Sequence, residues 1–155
     1  MGYTMQQTFL KEFVIDNKRI IVGDAKALKA NMQYSMYCMT CKDMINPYMF
    51  YIVVDKHFYK LSASAKKFLV FHEMGHIANG DLEEKNFLKC TIMSFIRRFF
   101  GISNKMEFKA DLHAVRYVGK IAALNSMHEL IALKGEQLSV LEMEERIKRI
   151  EEGKC

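Results

Sequence analysis

The chain has 155 residues, of which 50% are hydrophobic and 26% are charged, and its formal net charge is +5. This length and composition predict a single globular domain covering residues 1–155. The basic residues are scattered, so the sequence predicts no nucleic-acid-binding surface. No stretch approaches eighteen uninterrupted apolar residues and no secretory signal pattern begins the chain, so we expect a soluble, cytoplasmic protein; the pattern indicates no oligomeric state.

Three segments in the first third of the chain have the composition of β-strands. A short strand is predicted at 19–22, and an uneven alternation over 32–40 is compatible with another. The clearest signal is the β-branched and aromatic segment 48–54, which follows the break at Pro47. If this strand lies at the edge of its sheet it can bind an extended peptide, whereas a central strand would be paired on both sides. The sequence leaves both interpretations open.

Cys38 and Cys41 form one C-x-x-C pair in this region. A zinc ribbon needs a second such pair and a thioredoxin-like redox motif needs a βαβ pattern, and neither accompanies it. The pattern therefore favours free thiols in a reducing compartment.

An H-E-x-x-H motif, formed by His72, Glu73 and His76, lies in an apolar run at 68–77. Histidines four apart fall on one face of a helix, about one turn from each other, so both rings can bind one metal ion. Zinc held in this way lowers the pKa of a water molecule towards ~7, and the neighbouring Glu73 can take its proton. Gly75 is unfavourable inside a helix, which indicates that another part of the chain approaches closely there.

The helix that carries this motif is followed by a second, very apolar helix. The first is predicted to begin after Ser62 or Ser64, either of which can cap it, and to stop at Gly80. The second is predicted at 82–100 and is typical of a core helix, although the Arg-Arg pair near its end also suits a lid or a peripheral membrane contact. Its length and interruptions exclude a span of the bilayer.

A third metal ligand is predicted on the helix that opens at Asn104 and continues to about Leu124. A catalytic zinc needs one more protein ligand beyond two histidines, and Glu107 and Asp111 stand four apart on one face of this helix. We assign Glu107 as the ligand and Asp111 as the acceptor of the free N–H of one histidine. Ala110 between them would allow the two helices to approach closely. The alternative role for Glu107 is a capping box with Asn104.

These motifs, H-E-x-x-H and the E-x-x-A-D of residues 107–111, resemble those of the zinc peptidases that include the CAAX prenyl proteases and the heat-shock protease HtpX. Residues 139–147 are similar to the S-H-P-x-x-x-E-R-I segment of that family, and the resemblance covers roughly 48–150. It implies a Zn²⁺ cofactor and a role for Arg146 as a stabiliser of the tetrahedral intermediate. The small soluble ImmA/IrrE-type peptidases, which share H-E-x-x-H and a downstream Glu and act on repressors, look like a comparable relative.

The chain departs from the family pattern at Val140, where the family has a histidine that contacts the oxyanion, and at Leu141, where it has proline. Half of the transition-state stabilisation is therefore missing or supplied by another group. His128 is the first candidate for this role, while Tyr117 and His113 lie off the helix face that carries the acidic pair. The alternative for His128 is an exposed side chain without a catalytic role. The transmembrane helices of the family are also absent.

A charged helix is predicted at 136–152, with Glu and Lys or Arg pairs four residues apart. Its apolar positions would form one packing stripe: Leu138, Leu141, Ile147 and Ile150. In such a helix the alternative role for Arg146 is that of an ordinary salt-bridge partner.

The sequence as a whole predicts an α+β fold, in which a short N-terminal sheet packs on a helical bundle that carries the H-E-x-x-H helix, as in small zincin-like domains. The predicted function is that of a gluzincin-type zinc endopeptidase acting on a protein or peptide substrate, with Glu73 as general base and then proton donor to the leaving amine. The alternative is a catalytically weak or inactive zinc-binding regulatory or interaction protein, which the residue at Val140 favours.

Overall fold

A computed structural model describes residues 10–26, 28, 37–83, 105–134 and 140–153. Within these ranges the chain has four β-strands followed by four α-helices, which confirms the predicted α+β class. It divides into two compact units, Met1–Tyr59 with the strands and Lys60–Cys155 with the helices. The predicted helix at 82–100 lies outside the described residues, apart from its first two positions. The single-domain assignment stays a prediction.

Four strands form one mixed sheet in the order β1-β2-β4-β3. Their bounds are Leu10–Ile15 for β1, Lys18–Asp24 for β2, Cys38–Lys42 for β3 and Met49–Val54 for β4. The pairs β1/β2 and β3/β4 are antiparallel, and β2/β4 is parallel. β4 is therefore paired on both sides, so its interpretation as a free peptide-binding edge is wrong. In the described sheet the edge strands are β1 and β3.

The first two strands form a hairpin that the sequence analysis predicted as one short strand. Asp16 and Asn17 make the two-residue turn, with φ of 48° and 62°, and Ile15 pairs with Lys18 across it. Positive φ at both central residues is the geometry of a type I′ turn, which Asp and Asn tolerate better than other non-glycine residues. The pair is thus the turn signal that separates two strands.

Alternate side chains of the central strands form the interior of the sheet unit. Ile20 and Val22 of β2, with Phe50 and Ile52 of β4, are almost fully buried. β-Branched and aromatic side chains at every second position favour this half-buried pleated arrangement. The clearest strand signal in the sequence therefore corresponds to β4, one of the two central strands of the sheet.

Cys38 and Cys41 both lie on β3, and neither forms a disulfide bond. Residues three apart on a strand point to opposite faces of the sheet. Cys38 is buried, whereas Cys41 is only partly covered. Because the two side chains lie on opposite faces of the sheet, the two sulfurs do not form one site; a reducing compartment stays a prediction.

The helical unit contains four described α-helices: α1 at Ala63–Ala78, α2 at Lys105–Val118, α3 at Lys120–Lys134 and α4 at Val140–Glu152. A short 3-10 helix at Phe58–Lys60 precedes them along the chain. The predicted helix from Asn104 to about Leu124 is broken at Gly119, whose φ of +86° is a left-handed conformation that glycine adopts without a steric penalty. In the described part of the chain, no helix is both long and apolar enough to span a membrane.

Both ends of α1 are defined by specific contacts. Of the two predicted caps, Ser62 is the one observed: its Oγ accepts a hydrogen bond from the N–H of Ala65 at 3.2 Å. The carboxylate of Glu129 on α3 accepts from the Ser62 N–H at 2.8 Å and from its Oγ at 2.5 Å. At the other end the chain turns at Gly80, with a φ of +72°, as predicted.

The apolar stripe of α4 differs from the predicted one by one residue. Met143, Ile147 and Ile150 are buried, at the four- and three-residue spacing of one helix face. Leu141 is 72% exposed, so its assignment to the stripe is wrong. Met143 takes its place, since Leu141 lies on a different face from Ile147. Leu138 lies outside the described residues.

Candidate metal centre

α1 and α2 pack against each other with almost no side chain between them. A Cβ atom placed on Gly75 would lie 2.8 Å from the Cα and 3.0 Å from the carbonyl oxygen of Ala110, and 3.0 Å from the Cβ of His113. Contacts this short are sterically excluded, so glycine is required here. The close approach predicted from Gly75 and Ala110 is confirmed, and it brings the histidines of α1 opposite the acidic residues of α2.

His72, His76 and Glu107 converge on one point between these helices. The two Nε2 atoms are 3.2 Å apart. Glu107 Oε2 lies 3.2 Å from His72 Nε2, and its Oε1 lies 3.6 Å from His76 Nε2. Ligand atoms about 2.0–2.1 Å from a zinc ion at tetrahedral angles lie roughly 3.3 Å from one another. The three predicted ligands therefore have the spacing that a zinc ion requires.

Asp111 orients the first histidine. Its Oδ1 accepts a hydrogen bond from His72 Nδ1 at 2.9 Å. Because an ionised carboxylate can only accept, this bond places a proton on Nδ1 and directs Nε2 towards Glu107. Asp111 is fully buried, one helical turn beyond Glu107 on the same face of α2. The predicted partnership of Asp111 with one of the two histidines has this geometry, with His72 as the partner.

Asp81, which is not among the site residues predicted from the sequence, orients the second histidine. Its Oδ2 accepts from His76 Nδ1 at 2.8 Å, and the residue is buried. The Asp81 N–H donates to the His76 carbonyl and the Gly80 N–H to the Ile77 carbonyl, which is the Schellman end of a helix. This turn returns the chain over the last turn of α1. The signal was therefore present in the sequence as a Gly-Asp pair just after the motif helix.

Arg146 of α4 also reaches this cluster. Its Nε donates to Asp111 Oδ2 at 2.7 Å and its Nη2 to Asp111 Oδ1 at 2.6 Å. Its Nη1 lies 3.6 Å from Glu107 Oε2. The side chain is 11% exposed, so Arg146 is not the ordinary surface salt-bridge partner of the alternative interpretation. Surface pairs of that kind do occur on α4, between Glu145 and Arg149 for example.

His72, Glu107, Asp111 and Arg146 shift one another's pKa. Burial by itself lowers the pKa of His72, but the hydrogen bonds and charges of Asp111 and Glu107 outweigh it and raise that pKa to about 10. Burial opposes the ionisation of Glu107 and Asp111, yet His72 and Arg146 lower the pKa of both carboxyls. The carboxylates are therefore ionised at neutral pH despite their burial.

Glu73 lies on α1 next to His72 and is partly buried. Its charge contributes to the raised pKa of Arg146, after the larger effects of burial, which opposes the rise, and of Asp111 and Glu107. The Glu73 carboxylate is therefore within electrostatic reach of the group that contacts Asp111 and Glu107. The assignment of Glu73 as the general base stays a prediction.

The structure does not bring the candidates for a replacement donor to the cluster. His128 is exposed on α3, and its neighbour Glu129 contacts Ser62 at the start of α1. Ten residues of helix separate Ser62 from His72, about 15 Å along the axis. His113 Nδ1 is 2.9 Å from the Phe71 carbonyl oxygen.

Tyr117 stacks on the Phe71 ring, with centroids 4.5 Å apart. Tyr117 and His113 therefore lie on a neighbouring face of α2, away from the acidic pair, as the helical spacing predicted. Val140 is the first residue of α4. None of the three candidates, His128, His113 and Tyr117, is therefore placed at the cluster to replace the histidine that the family has at the position of Val140.

Comparisons with protein families, with curated proteins and with solved structures find no match to this chain. The carboxylates of Asp81, Glu107 and Asp111 contact the two imidazoles, and Arg146 contacts Asp111. Glu73 lies within electrostatic reach of Arg146. With neutral imidazoles and ionised carboxylates, these four acidic side chains and one guanidinium have three negative charges in excess, which a bound divalent cation would reduce to one. The donor set of two nitrogens and one carboxylate is the kind that zinc binds in catalytic sites.

Proposed function

We propose that this protein is a zinc-dependent endopeptidase. The observation that supports the proposal most strongly is the convergence of His72 Nε2, His76 Nε2 and the Glu107 carboxylate. Glu73 follows His72 directly on the same helix. Each Nδ1 is held by its own aspartate, so the histidine rings are oriented for a ligand at Nε2. Three protein ligands leave room for substrate and water, as in catalytic zinc sites.

Zinc bound at these three groups would supply Lewis acidity towards a water molecule and a peptide carbonyl. The chain supplies the proton transfers. The Glu73 carboxylate takes a proton from the attacking water and then gives it to the nitrogen of the leaving amine. Asp111 and Asp81 keep Nε2 of both imidazoles directed at the metal throughout, so only Glu73 has to change its protonation state.

A zinc-binding protein without turnover is the second candidate. It is favoured by the position of Arg146, which binds the Asp111 carboxylate where the family resemblance implied an interaction with the substrate. Loss of one oxyanion donor typically costs ~3–4 kcal/mol of transition-state stabilisation, which leaves a slow enzyme. Both candidates bind the metal in the same way and differ in whether peptide bonds are cleaved.

The test is metal analysis of the purified protein followed by incubation with an unstructured protein substrate. The proposal predicts about one zinc ion per chain. It also predicts cleavage that stops when a chelator is added and returns when zinc is restored. Stoichiometric zinc without cleavage would select the second candidate, and absence of metal binding would contradict both.

Glu107→Ala tests the ligand assignment. Because Glu107 is one of three protein ligands, its loss should weaken zinc binding itself, with loss of cleavage as a consequence. The matched control is Glu144→Ala, which makes the same change at an exposed position of α4. Equal zinc affinity in the two variants would show that Glu107 is not a ligand.

The substrate sequence, a cytoplasmic location and contact with a membrane surface through 82–100 stay predictions.

A further inference from the structure

Arg146 makes a bidentate contact with the Asp111 carboxylate inside the helical unit. Its Nε and Nη2 donate in parallel to the two oxygens of Asp111, at 2.7 and 2.6 Å. Parallel pairs of this kind are the strongest and most directional contacts between arginine and a carboxylate. Asp111 has no exposed surface, and the arginine side chain is 11% exposed. The guanidinium is therefore anchored by Asp111 in a fixed orientation.

This contact places Arg146 next to groups that include two of the proposed metal ligands, His72 and Glu107. Asp111 Oδ1, which accepts from Arg146, also accepts from His72 Nδ1 at 2.9 Å. The remaining terminal nitrogen of Arg146, Nη1, lies 3.6 Å from Glu107 Oε2. One guanidinium thus lies beside the carboxylate that orients the first histidine and beside the carboxylate that provides the third ligand.

On the basis of the metal site proposed above, we propose that Arg146 is a positioning residue that holds Asp111 and Glu107 in their metal-binding arrangement. Two buried carboxylates one helical turn apart repel each other, and the repulsion favours protonation or separation of the pair. The positive charge of Arg146 removes this penalty, while its planar fork fixes the rotamer of Asp111. α4, the last helix of the described chain, therefore contributes to metal binding through one residue that is not a ligand.

This role differs from that of an oxyanion stabiliser. A group that acts on the transition state must present a donor to the position where charge develops. In Arg146 two of the three nitrogens are directed at Asp111, and the third, Nη1, lies 3.6 Å from both Glu107 Oε2 and Met143 Sδ. The two roles predict different losses: a stabiliser affects kcat at unchanged zinc affinity, whereas a positioning residue affects zinc affinity.

The experiment measures zinc affinity by competition with a chromophoric chelator in the wild type, Arg146→Met, Arg146→Lys and Arg149→Met. Arg149→Met is the matched control, because it removes the same charge from the same helix at a partly exposed side chain that contacts Glu145 and the Phe108 ring. We expect Arg146→Met to weaken zinc binding 10- to 100-fold, the usual effect of losing a group that orients metal ligands. Arg149→Met should leave the affinity within about threefold of the wild type.

Arg146→Lys covers the case in which Arg146→Met does not fold. Lysine keeps the charge but cannot make two parallel bonds, so the affinity should still fall, by less than in the methionine variant. The absorption spectrum of Co²⁺-loaded protein gives a second readout without turnover. Its d–d bands should shift in both Arg146 variants and should be unchanged in Arg149→Met.

A double-mutant cycle tests whether Arg146 affects zinc affinity through the Asp111 carboxylate. If Arg146 acts through that carboxylate, Asp111→Asn with Arg146→Met should bind zinc no more than about threefold more weakly than Asp111→Asn alone. Full additivity of the two losses would contradict this route.

Zinc affinity of Arg146→Met and Arg146→Lys equal to that of the wild type would overturn the positioning role, whatever their cleavage rates. That result leaves the proposed peptidase function intact if the wild type shows chelator-sensitive cleavage. Conversely, a wild type that binds zinc without cleaving ends the peptidase proposal, while weaker zinc binding by the Arg146 variants would still support positioning.

Discussion

The two compact units of this protein place their charges in opposite ways. In the sheet unit, Arg19 and Glu12 pair at the surface, with side chains 54% and 49% exposed, around an interior of apolar residues such as Ile20. In the helical unit, Asp111 is fully buried and pairs with Arg146. Removing ions from water costs several kcal/mol per ion, so folding alone does not favour such a cluster.

This difference in the placement of charges indicates which unit carries the candidate metal centre. The sheet unit follows the usual pattern of apolar interior and charged surface, and its side chains require no ligand to explain them. The helical unit instead places buried carboxylates against His72 and His76, and hydrogen-bond partners compensate for their burial. Costly, well-satisfied buried charges around a donor set are typical of functional centres.

The largest effect is expected for Glu73→Gln. Amide replaces carboxylate with almost no change in shape, so zinc content should be unchanged, while cleavage should fall on the order of 10²- to 10⁴-fold through loss of the general base. The same change at Glu12, in the exposed pair of the sheet unit, is the control and should leave the rate unchanged. The rates are measured on zinc-loaded proteins. Wild-type cleavage by the Glu73 variant would end the proposed mechanism.

Asp111→Asn should destabilise the helical unit. The substitution leaves the buried Arg146 guanidinium without its anion, and breaking one side of a buried pair typically costs about 3–5 kcal/mol. Urea unfolding with chelator present measures this loss without a contribution from bound zinc. Glu12→Gln, measured in parallel, should shift the midpoint little because its pair is exposed. Equal urea midpoints for Asp111→Asn and Glu12→Gln would contradict the claim that the buried pair matters more for stability than the exposed one.

Gly75→Ala tests the close approach of α1 and α2. Alanine is the better helix former by about 1 kcal/mol, so the variant would be more stable if the helices were further apart. The added Cβ would lie 2.8 Å from the Ala110 Cα, and we expect a net loss of about 1–3 kcal/mol from overpacking. Ala110→Gly should not rescue it, since the clash involves backbone atoms. The measurement is the unfolding midpoint, and a rise would contradict the packing.

The smallest effect concerns pH. Burial by itself lowers the pKa of His72, but Asp111 and Glu107 raise it to about 10, so without metal the ring carries both protons at pH 7. Binding at Nε2 displaces one proton, and zinc affinity should rise about tenfold per pH unit between about 7 and 9. Calorimetry in buffers of different ionisation heat should show release of about one proton. An affinity independent of pH would contradict the assigned ionisation.

The site was predictable where it depends on helical periodicity. The spacing of His72 and His76, and that of Glu107 and Asp111, places each pair on one helix face whatever the rest of the chain does. Gly75 added the information that the two helices approach closely. These local rules are sufficient to predict the proposed ligands and one group that orients them.

The remaining features depend on contacts that spacing does not specify. Asp81 reaches His76 because the chain reverses at Gly80, and the sequence analysis used that glycine only as a stop signal. Arg146 binds Asp111 across 35 positions of sequence, so its partner depends on how α4 packs. In the sheet unit, the order of the strands does not follow from spacing because pairing is a long-range property. The Asp16 turn is a local signal, and it was overlooked because the turn contains no glycine.

The most direct test of the central claim is X-ray absorption spectroscopy of the zinc-loaded protein. The account predicts two imidazole nitrogens with oxygen donors at about 2.0–2.1 Å from zinc. Loss of one imidazole contribution is expected in His72→Ala. Sulfur scattering at about 2.3 Å, as from Cys38 or Cys41, or a spectrum unchanged in His72→Ala would contradict the claim that two imidazoles and Glu107 bind one cation.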